Sequence, residues 1–287
     1  MRCRTLGRTG LEVSELGFGA APLGITNYLE KWDARGAKER QAGIRALERA
    51  LGLGVNYWDT APGYGDGLSE QVIGEVLPGV RDRVVIATKV GAPWSHEGVI
   101  ASCEASLRRL RVDSIDVLQF HGGHYSDEMA GQVLGGGMEA MVKLREQGKI
   151  RFIGITAEGS TGALERIIAT GQLDTLQTRY NFCYQHTCDH INENAGIIYR
   201  AEEQRMGVIT MRTLTSGLFQ RTMRAAFGDR VNTLDLNGFL LKWVLSNPLV
   251  DVALVGMRRS EEVELNAKIS DDPPRFDIAG LHYRQVD

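Results

Sequence analysis

The sequence lacks the features that mark several classes of protein. No apolar run approaches the roughly 20 residues that a membrane-spanning helix needs, and the first residues contain no apolar signal-peptide segment. Four cysteines in 287 residues are too few for a disulfide scaffold and are typical of a reducing compartment. The net charge of −3 provides no positive surface for nucleic acid or an anionic membrane. We therefore expect a soluble, cytoplasmic protein without a nucleic-acid or membrane partner.

The sequence also lacks the glycine fingerprint of a doubly wound dinucleotide-binding sheet. Gly17-x-Gly19-Ala20-Ala21 in the first predicted strand and loop breaks the G-x-G-x-x-G pattern. The chain instead alternates short apolar runs with amphipathic segments eight times, which predicts a parallel sheet with right-handed crossovers. Eight repeats in a chain a little above the ~250 residues typical of a closed barrel favour closure. We predict an α/β fold, a single (β/α)8 TIM barrel domain over residues 1–287.

The predicted elements follow from apolar periodicity and from glycine and proline positions. Residues 84–90 form a continuous apolar run, which is typical of a strand buried on both faces. The predicted strands cover the first part of 16–24, the first half of 55–65, and 84–90, 115–121, 150–156, 175–181, 207–212 and 252–256. The predicted helices cover 37–51, 68–77, 97–110, 137–147, 161–170, 192–205, 233–246 and 260–269.

Polar side chains close most of these apolar runs. The carboxyl ends of barrel strands meet at one mouth, where TIM-barrel enzymes carry out their chemistry, so we expect these side chains to converge. They are Asp59, Lys89, His121, Thr156, Gln177, Asn181 and Arg212.

Lys89 is the least expected of these residues. A lysine that closes so apolar a run needs a partner for its charge, and Asp59 ends the preceding strand. Tyr64 follows Asp59 in a turn rich in glycine and proline. The same pattern also fits a buried ion pair that only closes the barrel top, with Asp59 as a cap and Tyr64 packed on the surface. His121 taken alone is more typical of a packed, hydrogen-bonded histidine than of a catalytic one.

A set of motifs lies in order on these strand ends. It consists of Asp59-Thr60-Ala61-x-x-Tyr64-Gly65, Ala87-Thr88-Lys89, Leu118-Gln119-x-His121, Gln177-x-x-Tyr180-Asn181 and Thr215-Ser216-Gly217. The ordered set resembles the aldo-keto reductase family along essentially the whole chain. Residues 3–14 resemble the N-terminal hairpin that plugs the barrel bottom in that family.

The resemblance implies metal-free reduction of an aldehyde or ketone by a nicotinamide cofactor. Tyr64 would donate a proton to the carbonyl oxygen, and Lys89, held by Asp59, would lower the pKa of that phenol. His121, in its neutral form, would hydrogen-bond the substrate oxygen and orient it. These four residues are the predicted catalytic set.

The resemblance also implies a cofactor site along the strand ends. Thr156 and Gln177 would hold the carboxamide, Met211 would pack on the nicotinamide ring, and Arg212 would reach the pyrophosphate. Arg258 suits a 2′-phosphate, so NADP is expected, with NAD as the alternative. The chain departs from the family pattern at Ala157, which replaces an asparagine, at Met211, which replaces an aromatic residue, and at Glu262, where many relatives are basic. The predicted cofactor residues are Gly19, Asp59, Thr156, Gln177, Met211, Arg212, Leu214, Gly217, Gly256, Arg258, Glu262 and Asn266.

The loops that follow the strands are expected to face a small carbonyl or sugar substrate. The predicted substrate residues are Tyr28, Tyr64, Trp94 and His121, and Trp32 and His96 lie in the same loops. Cys183, His186, Cys188 and His190 do not have a standard zinc spacing, so no metal site is predicted and these residues are interpreted as a substrate loop. Residues 135–137 are interpreted as a flexible glycine loop before a helix.

Three other activities fit the same residues. The hydride chemistry can run in the opposite direction, as in an alcohol, sugar or aldose dehydrogenase. Lys89 can act as the nucleophile of a Schiff-base aldolase, since barrel lysines also do this. A regulatory subunit that binds cofactor without catalysis is the third alternative, and the complete set of four residues argues against it.

Overall fold

The structure, a computed structural model, describes residues 1–28, 30–189, 195–272 and 275–278. A short antiparallel hairpin of β1 (Cys3–Thr5) and β2 (Glu12–Ser14) precedes eight parallel strands. These are β3 (Leu16–Gly19), β4 (Tyr57–Asp59), β5 (Val85–Gly91), β6 (Ile115–His121), β7 (Ile150–Ala157), β8 (Thr175–Arg179), β9 (Gly207–Met211) and β10 (Val252–Gly256). They close in sequence order, with β10 paired to β3. The predicted (β/α)8 TIM barrel is confirmed.

Helices follow the strands and cover the outside of the barrel. They are α1 (Ala21–Gly24), α2 (Ala37–Gly52), α3 (Leu68–Val76), α4 (His96–Leu110), α5 (Asp127–Gln132), α6 (Met138–Glu146), α7 (Gly162–Ala169), α8 (Ile197–Glu203), α9 (Leu218–Phe227), α10 (Leu236–Leu245) and α11 (Ser260–Asp271). Within the part of the chain that the structure describes, no helix is both long and apolar enough to span a bilayer.

The hairpin closes the amino-terminal end of the barrel, as predicted for residues 3–14. Its apolar side chains Leu6, Leu11 and Val13 are buried in one cluster with inward-facing side chains from the starts of the strands. Gly207 at the start of β9 makes room for this plug, because a β-carbon there would lie 2.6 Å from Leu6 Cδ1. The plug leaves only the opposite mouth of the barrel open for chemistry.

Two predicted helices differ from the structure by more than two residues at one end. The helix predicted over 233–246 begins at Leu236, because the Asp235 carboxylate accepts a hydrogen bond from Gly238 N at 2.8 Å and caps the helix there. The helix predicted over 192–205 is Ile197–Glu203 in the structure, and residues 190–194 lie outside the described residues.

The loop predicted at residues 135–137 is wrong, because these residues belong to a π-helical turn, Val133–Gly137, that joins α5 to α6. Close packing explains the last glycine of the three. A β-carbon on Gly137 would lie 3.1 Å from the Phe120 ring and 3.2 Å from Trp94 Cβ. Gly137 therefore allows the start of α6 to pack closely against β6.

Candidate active site

A buried ion pair joins β4 and β5 at the open mouth of the barrel. Lys89 is 1% exposed, and its Nζ donates to Asp59 Oδ1, Asp59 Oδ2 and Thr60 O, each at 2.7 Å. Asp59 pairs with Ala87 in the strand register, so Lys89 lies two residues further along β5 and reaches back to the carboxylate. An ammonium has three donors, and all of them are engaged here.

Two side-chain amides, those of Gln119 and Gln177, also donate hydrogen bonds to the Asp59 carboxylate. Gln119 Nε2 of β6 donates to Asp59 Oδ2 at 3.3 Å and to Gln177 Oε1 at 3.0 Å, and Gln177 Nε2 of β8 donates to Asp59 Oδ1 at 3.5 Å. Gln119 was not among the predicted site residues, although it lies two positions before His121 on the same face of the strand. Asp59 is thus fixed from three other strands.

Tyr64 lies beside this ion pair on a tightly packed turn. Its ring centroid is 5.0 Å from Lys89 Nζ and 6.0 Å from the His121 ring, which it meets edge-on. The turn needs Gly65, which has a φ of +69°, because a β-carbon there would lie 2.1 Å from Gly24 O. The four predicted catalytic residues therefore come together at one mouth.

Burial and charge set the protonation states of this group. Burial raises the pKa of Tyr64, and the Lys89 ammonium only partly offsets that rise. Burial also raises the pKa of Asp59, which the ammonium pulls back. Burial alone would lower the pKa of Lys89, but the interactions with Asp59 and Tyr64 together outweigh it and leave that pKa above its ordinary value. Burial, assisted by Lys89, lowers the pKa of His121 to about 4. At neutral pH the site therefore holds a neutral phenol, a neutral imidazole and a charged pair.

The residues predicted to bind the carboxamide and the pyrophosphate, Thr156 and Arg212, make hydrogen bonds to other residues of the protein. Thr156 is buried, and its hydroxyl donates to Gly122 O at 2.8 Å and accepts from Gly122 N at 3.0 Å. Arg212 donates to Glu158 Oε1 at 2.6 Å, and Arg179 lies 3.5 Å from the other oxygen of Glu158. Neither Glu158 nor Arg179 was predicted. Met211 pairs with Arg179 in the strand register, and Asn181 Nδ2 donates to Arg212 O at 3.0 Å.

The loop after β9 has an unusual backbone. Arg212, Thr215 and Ser216 have φ values of +57°, +56° and +51°, and Gly217 has +74°. Non-glycine residues in this region are strained, and such strain is concentrated at ligand-binding and catalytic sites. Leu214 lies inside this loop, and Gly217 is the residue before α9, whose first backbone N–H groups have no partner within the helix. The loop has the form of an anion-binding segment.

The residues predicted for the adenosine end of the cofactor lie after β10. Gly256 pairs with Gly19 across the β10–β3 seam. Arg258 Nη2 is 2.9 Å from Glu262 Oε1, and Asn266 Nδ2 donates to Glu262 O at 2.8 Å. Arg258 Nε, Arg258 Nη1 and Asn266 Oδ1 are buried without a hydrogen-bond partner among the described residues. Buried polar atoms are normally paired, so these orphaned atoms fit a ligand such as a nucleotide.

The structure corrects one substrate prediction. Trp94 is fully buried, stacks on Tyr125 at 5.7 Å, and donates from Nε1 to Val90 O at 2.9 Å. Its side chain therefore belongs to the core behind β5 rather than to the mouth. His96 is the first residue of α4, and Tyr28 is 43% exposed. Trp32 lies elsewhere, within 5.6 Å of Arg258 and 5.0 Å of Arg259.

The cysteine-rich segment shows no metal cluster within the described residues. No group of three or more His, Cys, Asp or Glu side chains there is arranged to hold an ion. Cys183 is exposed, whereas Cys188 is buried and accepts from Asn247 Nδ2 at 3.3 Å. His186 packs edge-on against Tyr184, and His190 lies outside the described residues.

These features define a (β/α)8 barrel with a buried cluster of titratable side chains at the carboxyl ends of its strands. The chain belongs to the aldo/keto reductase family, whose family model matches residues 15–274. It is 29% identical over 290 residues to L-galactose dehydrogenase of Arabidopsis thaliana, covering 92% of this chain and 86% of the relative.

Two solved structures have the same architecture. The holo form of the aldo-keto reductase AKR11C1 from Bacillus halodurans matches with a TM-score of 0.77 and 25% identity, over 98% of this chain and 94% of that chain. An aldo-keto reductase from Klebsiella pneumoniae in complex with NADPH matches with a TM-score of 0.75 and 25% identity, over 98% and 93%.

Proposed function

We propose that this enzyme reduces the carbonyl group of a small aldehyde, ketone or sugar with NADP(H), and that Tyr64 supplies the proton. The observation that carries this proposal is the neutral phenol of Tyr64 beside the buried Lys89–Asp59 pair and the neutral His121. When bound, the nicotinamide supplies the hydride that adds to the carbonyl carbon. The remaining chemistry is the control of one proton and of one developing negative charge.

Tyr64 is suited to be the proton donor. Its raised pKa keeps the phenol protonated at neutral pH, so it can hydrogen-bond a carbonyl oxygen before the reaction. As negative charge develops on that oxygen, the phenol proton moves to it. The resulting phenolate is then stabilised by the fixed positive charge of Lys89, whose Nζ is 5.0 Å from the ring centroid.

His121 is suited to orient the substrate. A neutral imidazole has one N–H donor, which can hydrogen-bond the carbonyl oxygen without competing for the proton of Tyr64. The ring of His121 meets the ring of Tyr64 edge-on, so both side chains can face one oxygen atom. Tyr28, which lies in the loop after α1, is the described aromatic residue that we propose contacts the rest of the substrate.

The cofactor proposal is supported by the strained loop after β9 and by the orphaned polar atoms after β10. Arg212 and the backbone of Leu214 and Gly217 would hold the pyrophosphate, and Arg258 and Asn266 the adenosine end. Gln177 would hold the carboxamide, and Met211 would pack on the ring. NAD(H) is the alternative cofactor.

Lys89 is poorly suited to the alternative of a Schiff-base aldolase. A Schiff base requires a free amine, whereas here the pKa of Lys89 is raised and its Nζ is hydrogen-bonded to Asp59 and Thr60. The reverse direction, oxidation of a sugar or other alcohol, uses the same groups with Tyr64 as the proton acceptor. The similarity to L-galactose dehydrogenase supports this second candidate.

We also propose that residues 1–287 form a single domain and that the enzyme works in the cytoplasm. The family match over 15–274 supports the first proposal. The four cysteines, none of them in a disulfide, support a reducing compartment.

An absorbance assay at the reduced-nicotinamide band tests the proposed function. The purified chain is mixed with NADPH or NADH and a panel of aldehydes, ketones and sugars, and the reverse reaction is run with alcohols and sugars. We expect turnover with at least one carbonyl–alcohol pair. Binding of cofactor with no turnover across the panel would favour a regulatory role. Covalent trapping of the substrate on Lys89 by borohydride would favour the aldolase.

The lowered pKa of His121 predicts the pH dependence of carbonyl reduction. Because the imidazole is already neutral above its pKa of about 4, we expect kcat/KM to stay level through the range near 6.5 in which an ordinary histidine titrates. Activity should fall only as the pH approaches 4. The check is a profile of kcat/KM against pH with a substrate that has no titrating group. A fall in kcat/KM below about pH 6.5 that disappears in His121→Ala would contradict the lowered pKa of His121.

A further inference from the structure

A carboxylate from the loop between α1 and α2 lies on the predicted adenosine site. Glu30 Oε1 is 3.0 Å from Arg258 Nη2 and 2.8 Å from Arg259 Nη1. These two arginines lie in the short segment between β10 and α11, on the other side of the closing seam of the barrel. The hydrogen bond from Arg259 lowers the pKa of Glu30, so the carboxylate is ionised at neutral pH.

Arg258 is a buried group with unused donors. Its side chain is 8% exposed, and Nε and Nη1 have no acceptor in the described part of the chain. Its Nη2 is shared between Glu30 and Glu262, and Trp32 covers the two guanidinium groups from the same loop as Glu30. Such a buried arginine with free donors is built to receive an anion.

The position of Arg258 favours a phosphate as that anion. Loops after the seventh and eighth strands of a TIM barrel, together with a helix amino terminus, frequently form a phosphate-binding site. Here β10 is the eighth barrel strand and Arg259 immediately precedes α11. Glu262, in the first turn of that helix, already accepts from Arg258 N at 2.7 Å and acts as a cap. Glu30 is different, because it arrives from a separate loop and half of its side chain is exposed.

We propose that Glu30 is a specificity residue for the cofactor, whose carboxylate competes with a 2′-phosphate for Arg258 and Arg259. This inference rests on the proposed use of a nicotinamide cofactor. A 2′-phosphate bound to the unused donors of Arg258 would lie beside the Glu30 carboxylate, which repels it and already occupies Arg258 Nη2 and Arg259 Nη1, whereas a 2′-hydroxyl can donate a hydrogen bond to that carboxylate. Glu30 therefore shifts the balance of affinities from the 2′-phosphate toward the 2′-hydroxyl.

The test compares two fragments of the cofactor that cannot transfer hydride. Dissociation constants for adenosine 2′,5′-bisphosphate and for adenosine 5′-monophosphate are measured by calorimetry on the intact chain and on Glu30→Gln. Glu264→Gln is the matched control, because Glu264 is also 50% exposed and paired with an arginine, Arg49, outside this site. Thermal unfolding of both variants checks that the fold is unchanged.

Glu30→Gln should tighten binding of the bisphosphate by roughly threefold to tenfold, in line with the loss of one competing, half-exposed ion pair. Binding of the monophosphate should change little, and Glu264→Gln should behave like the unmodified chain. Equal changes for both ligands, or no change for either, would overturn the role of Glu30 alone. If neither fragment binds the unmodified chain, the cofactor proposal itself fails, and the role of Glu30 fails with it.

Discussion

Tyr64→Phe is expected to lower the turnover of carbonyl reduction by about 10³-fold, because the variant has no proton to give to the developing oxyanion. The ring that packs near Lys89 and His121 remains, so cofactor affinity and thermal stability should change little. Steady-state kinetics with NADPH, together with a fluorescence titration of the cofactor, checks both parts of this expectation.

Tyr125→Phe provides a matched control for the loss of a phenol. Tyr125 is also buried at the mouth end of the barrel, but its hydroxyl donates only to backbone oxygens, at 3.1 Å to Thr156 and 3.4 Å to Phe120. We expect its turnover to stay within a few-fold of the unmodified enzyme, as for removal of one neutral hydrogen bond of about 1 kcal/mol. Similar losses in both variants would show that Tyr64 serves packing and is not the proton donor.

Lys89→Met is expected to lower both stability and turnover. The substitution leaves the Asp59 carboxylate buried without its cation, which costs about 3 kcal/mol in the free energy of unfolding. The amides of Gln119 and Gln177 still donate to that carboxylate, so we expect the lower end of the usual range. Loss of the fixed positive charge beside Tyr64 should lower turnover by about 10²–10³-fold. Denaturant unfolding and steady-state kinetics measure the two effects.

The double variant Asp59→Asn/Lys89→Met separates the two effects. Removing both charges takes away the unpaired carboxylate, so much of the lost stability should return, since neutral replacements of buried ion pairs are often tolerated. Turnover should stay low, because the cation beside the phenol is still absent. Recovery of turnover along with stability would mean that Lys89 only closes the top of the barrel, which is the alternative that the sequence left open.

The barrel itself could be predicted from the sequence because its strands are buried on both faces. A continuous apolar run as short as residues 84–90 is typical of a strand covered by protein on both sides, and the regular alternation of such runs with helices leaves few topologies. The extra helix α9 was missed for the opposite reason. It lies between β9 and α10, in addition to the eight strand–helix repeats, so the regular alternation does not require it, and none of its residues is buried.

The core of the site was also predictable, since charged and polar residues that end apolar strands require partners. Lys89 and Asp59 are the clearest case, and their pairing in the structure follows from neighbouring strands. Gln119 was overlooked because it lies inside its strand rather than at its end. The sequence could have indicated it, because an amide on the same face as His121 within a fully buried strand also needs a partner.

Contacts between loops could not be predicted in the same way. Glu30 reaches Arg258 and Arg259 across 228 and 229 positions of the sequence, and no local period marks such a pair. Trp94 follows a strand, as a substrate residue would, but its cavity behind β5 is formed by Phe120 and Tyr125 from the next repeat. Tertiary packing alone decides on which side of a strand such a loop residue lies.

The most direct test of the central claim follows the hydride itself. The enzyme is supplied with reduced cofactor that carries deuterium at C4 of the nicotinamide, on either face, and with a carbonyl substrate found in the absorbance assay. One of the two labelled cofactors should deliver one deuterium to the carbinol carbon of the product, and Tyr64→Phe should slow this transfer by about 10³-fold. Product alcohol that contains no deuterium from either cofactor, or a Tyr64→Phe variant that forms labelled product at an unchanged rate, would contradict the central claim.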